Sequence, residues 1–414
     1  MQEWQNSAIS VQQTESFSCT LRLLLAIFTK FWKCEFSSGL ARAPDLTLRA
    51  AMALNRITLS SFRNHADTRL DATAQLNLLV GENGAGKTNV LEALSLFAPG
   101  RGMRRAPLGE MAGSSGTGGF GVSALLTDDA DQVSEPVRLG TGMRAQRPGR
   151  RIVQVNGADA SAVSLGEWLG IGWLTPAMDR LFTDSAGNRR RYMDRLAVAL
   201  DPGHARQATR YENALRERNR LLSDPAQPDR SWLESVELQM AEVGALLAQG
   251  RARLVGTVSA ELETLPEHPF ARPALSYRPG GALDAEELAR QLADNRRRDR
   301  AAGRSLIGPH RDELEVMMAG KNAPAASCST GEQKAMLVAI TLAHAGLSAR
   351  GRPSLLLLDE VAAHLDPVRR SALFERLRSS GAQIWLTGTE PAPFADILGE
   401  AAHWHIVAGR AERI

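Results

Sequence analysis

Between residues 57 and 80 the chain reads in short apolar runs, Ile57-Thr58-Leu59, Thr68-Arg69-Leu70 and Leu76-Asn77-Leu78-Leu79-Val80, separated by polar turns. Such runs predict strands. After Val80 a Gly-rich loop leads into a helical run over residues 89–97. Residues 111–155 mix Gly, Ser and Asp turns with alternating segments such as Phe120-Gly-Val-Ser-Ala-Leu-Leu and Arg151-Ile-Val-Gln-Val, which predicts an antiparallel β-layer. From about residue 189 to 265 Ala, Leu, Arg and Glu recur at helical spacing, and Asp224-Pro-Ala-Gln-Pro-Asp229 breaks the stretch into at least two helices. Strand character returns near Arg304. The unbroken apolar run 355–358, bounded by Pro353 and Asp359, suits a central parallel strand covered on both faces. The expected fold class is therefore α/β, with an antiparallel β-layer and an inserted helical lobe.

The loop after Val80 is Gly81-Glu82-Asn83-Gly84-Ala85-Gly86-Lys87-Thr88, a complete G-x-x-x-x-G-K-[ST] between strand and helix. Its glycines let backbone N–H groups turn toward phosphates, the following helix directs its positive end there, and Lys87 meets the β/γ oxygens. Thr88 is a Mg²⁺ ligand in such a loop. Leu355-Leu-Leu-Leu-Asp359-Glu360 is the matching Walker B strand. Asp359 at its carboxyl end is placed to hold Mg²⁺, and Glu360 to orient and deprotonate the attacking water. ATP and Mg²⁺ are thus the expected cofactors, with Glu360 and Lys87 as the catalytic pair.

Ser329-Thr330-Gly331-Glu332-Gln333-Lys334 opens an Ala/Leu-rich helix some 25 residues before Walker B. It reads as a capping box, Ser329 with Glu332, and equally as a variant ABC signature, in which Ser329 and Gly331 meet the γ-phosphate held by an opposite subunit. His364-Leu365-Asp366-Pro367 stands where ABC proteins carry their D-loop, although Asp366 before Pro367 is also a good helix start. The order Walker A, signature, Walker B, D-loop is that of an ABC-type head.

These motifs, with Ser61-Phe62-Arg63-Asn64-His65 ahead of Walker A, Pro99-Gly100-Arg101 after it, Asn188-Arg-Arg-Arg-Tyr-Met-Asp194 and Leu306-Ile-Gly308-Pro309-His310-Arg311-Asp312-Glu313, resemble the RecF family. The resemblance spans about residues 57–409. Thr330 replaces the first signature glycine, and at Thr175-Pro176-Ala177-Met178-Asp179 the acid is shifted relative to the family's loop. It implies nucleotide contacts from Arg63, Asn64, the loop 81–88 and Asn89. It also implies an ATP-dependent homodimer on duplex DNA near gap junctions, partnership with RecR and RecO, and slow hydrolysis. Expected segments are 52–188 and 301–414 as two parts of the ATPase lobe and 189–300 as the helical lobe. Residues 1–51, with two of three Cys and two of five Lys, are expected to be a non-native or disordered extension ahead of Met52.

Charge adds one restriction. The net charge is only +3, so DNA contact must come from local arginine clusters, at 101/104/105, 147/150/151, 189–191 with 195, 206–220 and 296–300. Each cluster reads equally as a solvated face with Arg–Glu pairs. Aromatics at 5% favour backbone contact with duplex over base stacking. Cys19, Cys34 and Cys328 have no metal spacing, and residues 21–32, interrupted by Arg22 and Lys30, are too short for a span, so a cytoplasmic location without membrane contact is expected. Lys87 and Asp359 stand 272 residues apart, leaving room for a lobe that transporter subunits lack, and no switch His follows Gln383-Ile-Trp-Leu-Thr387. The insert is also too short for the coiled-coil arm of an architectural chromosome protein or nuclease-partner ATPase.

Overall fold

In a computed structural model, the described residues are 52–113, 118–128, 135–224, 229–266, 268–362 and 365–414. The expectation for residues 1–51 and the position of His364 lie outside them. The first strands, β1 (Met52–Phe62) and β2 (His65–Asp71), pair antiparallel, and β1 also pairs with β4 (Phe120–Asp128). With β5 (Val137–Met143), β6 (Arg151–Val155) and β7 (Ala158–Asp159) they form one antiparallel sheet, ordered β2-β1-β4-β5-β6-β7.

The strand of the phosphate-type loop, β3 (Leu76–Val80), belongs to a second sheet. There it pairs in parallel with β13 (Gln383–Gly388) and β14 (Ala402–Val407). Next to β13 follow β12 (Ser354–Leu358) and β8 (Gly170–Leu174), while β15 (Arg410–Arg413) closes the other edge antiparallel. Every residue of β12 is buried. Leu356 and Leu358 enter one hydrophobic core while Leu355 and Leu357 enter the other. An unbroken apolar run is what a strand with a core on each face requires.

One core lies against the antiparallel sheet and α1 (Lys87–Ser95). The other packs the mixed sheet against α2 (Ala186–Leu200), α4 (Arg230–Thr264) and α7 (Thr330–Ser348). Between α2 and α4 runs α3 (Gly203–Ser223), and the helical region continues through α5 (Ala285–Asp294) and α6 (Arg296–Ala302). Asp229 caps α4 from the proline-rich break, accepting N–H bonds from Ser231 and Trp232. Within the segment expected to be helical lies β9 (Pro273–Arg278), which pairs with β10 (Glu313–Met318) and through it with β11 (Ala323–Pro324). That pairing crosses the expected boundary at residues 300/301. β9 alternates less exposed with exposed positions over only six residues, too short to stand out from the helical pattern around it. The last helix, α8 (Pro367–Ser379), follows Walker B. Among the described residues no helix is long and apolar enough to cross a membrane.

Candidate nucleotide-binding site

The loop from Val80 to Lys87 has a shape only glycine permits at two positions. A Cβ on Gly81 would stand 2.2 Å from the Ile406 carbonyl oxygen. Gly86 has φ +121°, and a Cβ there would meet His65 Nε2 at 2.7 Å and Asn64 Oδ1 at 2.8 Å. Gly86 is also the N-cap of α1 and supplies no side-chain oxygen; its carbonyl takes the Asn89 and Val90 N–H groups, and no side chain caps those of Lys87 and Thr88. They are available to an anion. Glu82, Asn83 and Gly84 form the exposed crest of the loop, while Ala85 turns inward.

Lys87 is buried, and its Nζ donates to the carbonyls of Gly81 (2.6 Å) and Glu82 (2.8 Å). Burial holds its pKa below the usual lysine value, with Glu360 and Asp359 acting in the opposite direction. Thr88 Oγ1 donates to Asp359 Oδ1 at 2.9 Å, joining residues 271 positions apart. Thr387, at the end of β13, donates to the same oxygen at 2.9 Å, and its Oγ1 also accepts the Glu360 N–H at 2.9 Å. Burial pushes the Asp359 pKa up, against the two hydroxyl hydrogen bonds. Glu360 has φ +54°, a left-handed backbone uncommon outside glycine and concentrated at functional sites.

A brace supports the loop from outside. Asn64 Nδ2 donates to Ala85 O (2.9 Å), Asn89 Nδ2 donates to Asn64 Oδ1 (2.8 Å), and Gly409 N also donates to Ala85 O (2.9 Å). His65 Nε2 donates to Gly86 O at 3.1 Å, and Thr68 Oγ1 donates to Gly409 O at 2.6 Å. Arg63 forks onto the two oxygens of Glu92 on α1, at 2.9 and 2.7 Å, and Arg104 bonds both Glu92 (3.2 Å) and Asn89 (2.7 Å). Glu92 is fully buried, so this pairing fixes α1 and the loop that starts it. Arg63, Asn64 and Asn89 therefore reach the loop as its scaffold in this structure.

The signature segment and the D-loop stand apart from this cluster. Ser329 and Glu332 form a complete capping box at the start of α7, Glu332 pairs with Lys321, and Lys334 lies 3.8 Å from Asp179. Ser329, Thr330 and Gly331 are exposed. Asp366 caps α8, accepting the Arg369 N–H at 2.9 Å. Sequence reasoning missed Thr387, His65, Thr68, Glu92 and Gly409. Thr387 ends the strand that lacks a switch histidine; His65 stands in the segment 61–65 without a role read for it there, and Thr68, Glu92 and Gly409 act only through tertiary contact.

Thr88 and Asp359 offer hard oxygen donors, one carboxylate and one hydroxyl, the kind Mg²⁺ takes when it keeps most of its shell for water and phosphate. Among the described residues no cluster of three His, Cys, Asp or Glu side chains competes as a metal centre. The sequence profile of the RecF/RecN/SMC N-terminal domain family matches residues 53–396. A DNA replication and repair protein RecF of Mesorhizobium japonicum is 47% identical over 362 residues, 84% of this chain and 94% of that protein. The RecF of Brucella suis is 43% identical, with 91% of this chain and 99% of that protein covered. The chain belongs to the RecF family. Solved RecF structures agree in fold: the recombination mediator RecF-ATP of the RecFOR pathway superposes with TM-score 0.76 at 22% identity, covering 91% of this chain and all of that one. The Smc head domain of Pyrococcus furiosus, at 15% identity, reaches TM-score 0.51 over 88% of this chain. An ABC/SMC-like ATPase fold is thereby the setting of the Thr88–Asp359 cluster.

Proposed function

We propose that this chain is an ATP-dependent DNA-binding protein of recombinational repair and replication restart, a slow ATPase whose hydrolysis is tied to dimerisation on duplex DNA near single-strand gaps. The observation that carries the reading is the meeting of Walker A and Walker B: Thr88 bonded to Asp359, with Lys87 buried beside them. In this proposal the loop 81–89 holds the triphosphate of ATP. Lys87 would exchange its two loop carbonyls for phosphate oxygens, and Thr88 and Asp359 would hold Mg²⁺, which would supply positive charge against the phosphates. Glu360 takes the proton of the attacking water. Burial that lowers the Lys87 pKa and raises that of Asp359 charges both groups at a cost, which a phosphate and a cation offset on binding.

The exposed, capped start of α7 is the face that a second copy would present to the γ-phosphate, and the Asp366 turn would lie at the same junction. Relatives bearing the RecF name supply the repair context, and RecR and RecO are the partners proposed by that kinship. A cytoplasmic location belongs to the same reading. The test pairs two variants. Glu360→Gln should hold ATP unhydrolysed and accumulate as a dimer with raised duplex affinity, while Ser329→Arg should keep ATP binding but remain monomeric in size-exclusion chromatography. Normal dimerisation by Ser329→Arg with ATP, or wild-type turnover by Glu360→Gln, would refute the sandwich.

A further inference from the structure

A cleft of about 900 Å³ opens between the loop after α1, strand β8, the 176–184 segment and helices α2 and α3. None of its lining residues belongs to the loop 81–89 or to Asp359 and Glu360. Its floor is apolar, with Leu169, Ile171, Trp173 and Leu181 all buried. On this floor lies Arg195, its guanidinium 4.5 Å from the Trp173 ring centroid and 5.1 Å from that of Tyr192. Its one side-chain hydrogen bond runs to the Met178 sulfur at 3.4 Å, and Nε, shielded from solvent, has no protein partner among the described residues. Burial pulls the Arg195 pKa down to about 10.

An arginine in an apolar wall without a carboxylate is expensive unless something anionic completes it. The acids nearby do not. Asp194 is occupied by Arg251 and His204. At the mouth, Arg105 is held in a left-handed backbone at φ +56°, and burial first, then neighbouring Arg191 and Arg101, lowers its pKa, with Glu212 alone opposing. Those rim arginines are exposed, so they add positive charge at the entrance without filling the cleft.

We propose that this cleft binds a short acidic segment of a partner protein carrying apolar side chains, with one carboxylate seated on Arg195. The volume is that of a pocket enclosing a compact ligand. The planar guanidinium accepts a carboxylate through two parallel hydrogen bonds, the aromatic and aliphatic floor takes apolar side chains, and the arginine rim steers acidic flanks. Duplex DNA could touch the rim but could not reach the recessed floor. The site goes beyond the nucleotide reading and survives if that reading fails.

The test is selection of a phage-displayed library of random linear peptides on the full-length protein, followed by fluorescence anisotropy of the enriched peptides. Enrichment of peptides combining Asp or Glu with Leu, Ile or Phe is expected, and their affinity should fall about tenfold or more, the loss of one good ion pair, in Arg195→Gln. Because Arg195→Gln replaces a group packed in the wall, exposed Arg105→Glu serves as second variant and should weaken the same peptides while thermal unfolding stays unchanged. The proposal is overturned if no acidic, apolar peptide is enriched. Equal binding of the enriched peptides by Arg105→Glu, or their displacement by a single-stranded oligonucleotide, would overturn it as well; displacement would assign the cleft to nucleic acid.

Discussion

Removing one hydroxyl, Thr387→Val, should separate nucleotide binding from hydrolysis. Thr387 Oγ1 is fully buried and serves two partners, donating to Asp359 Oδ1 and accepting the Glu360 N–H, each at 2.9 Å. Valine fills nearly the same volume, so packing against the sheet survives. What is lost is a hydrogen bond to a carboxylate, worth about 1.5–3 kcal/mol, and the partner of a backbone N–H, whose orphaning costs about 1–3 kcal/mol. If a part of that total, roughly 1.4–2.7 kcal/mol, falls on the placement of Glu360 in the hydrolytic transition state, turnover drops about ten- to a hundred-fold. ATP affinity should change little, because Lys87 and the N–H groups of the loop are untouched.

Phosphate release gives turnover, and a fluorescent ATP analogue gives affinity. Two readouts distinguish positioning from a packing defect. Thr387→Ser keeps the hydroxyl and should restore most of the rate. The second is affinity: Thr387→Val should still bind ATP, whereas a packing defect would weaken binding and turnover together. Wild-type turnover in Thr387→Val, or a Ser variant as slow as the Val variant, would refute the role assigned to the hydroxyl.

Lys87→Arg should fold but lose productive ATP binding or hydrolysis, since the loop carbonyls enclose a point charge and not a fork; wild-type ATPase activity would contradict this. Deleting residues 1–51 should leave ATPase and DNA-binding activity intact, because every motif follows Met52, and is checked by assaying the truncated chain. His344 is buried and His310 partly buried, and desolvation is the chief cause that holds each down to a pKa of about 4 from 6.5. The stability of keeping them neutral is complete above pH 6.5 and is lost as pH falls toward 4. Resistance to urea should weaken as pH falls across that window by up to about 1.4 kcal/mol per pH unit for each imidazole, and His344→Gln should flatten the slope.

The nucleotide cluster was legible because its chemistry is local: a glycine loop after a strand, and acids at the end of an apolar run, identify themselves within eight residues. The parallel strand 355–358 was legible for the same reason, since burial on both faces leaves no polar alternation. Strand β9 was not, because its partner lies at 313–318 and its own alternation is only six residues long. Thr387, Glu92 and Gly409 were invisible for a related reason. A buried threonine or glutamate has no sequence signature until the fold supplies Asp359 or Arg63 as its partner. Ser329 shows the converse, a segment with two readings of which the structure displays the capping box, a geometry compatible with the signature reading.

The motif Gly308-Pro309-His310-Arg311-Asp312 serves a different end from the nucleotide loop. Gly308 has φ +127°, and a Cβ there would strike the Tyr211 hydroxyl at 2.4 Å. His310 accepts from that hydroxyl at 2.8 Å and donates through Nε2 to Ser305 O at 2.8 Å. Buried Asp312 accepts from Arg251 on α4 at 2.7 Å and from the Gly280 N–H at 2.8 Å, while Arg251 also forks onto Asp194 of α2. On α3, buried Arg218 reaches Asp299 and Ser305 at 2.6 Å and Glu237 at 3.0 Å. Breaking one such buried pair costs about 3–5 kcal/mol, comparable with a large share of the roughly 5–15 kcal/mol that holds a domain folded. Helices α3 and α4 are thus bound to residues 299–312 by interactions too costly to open in ordinary fluctuations. Strand β10 begins at the next residue and leads through β11 to α7, the helix that Ser329 caps.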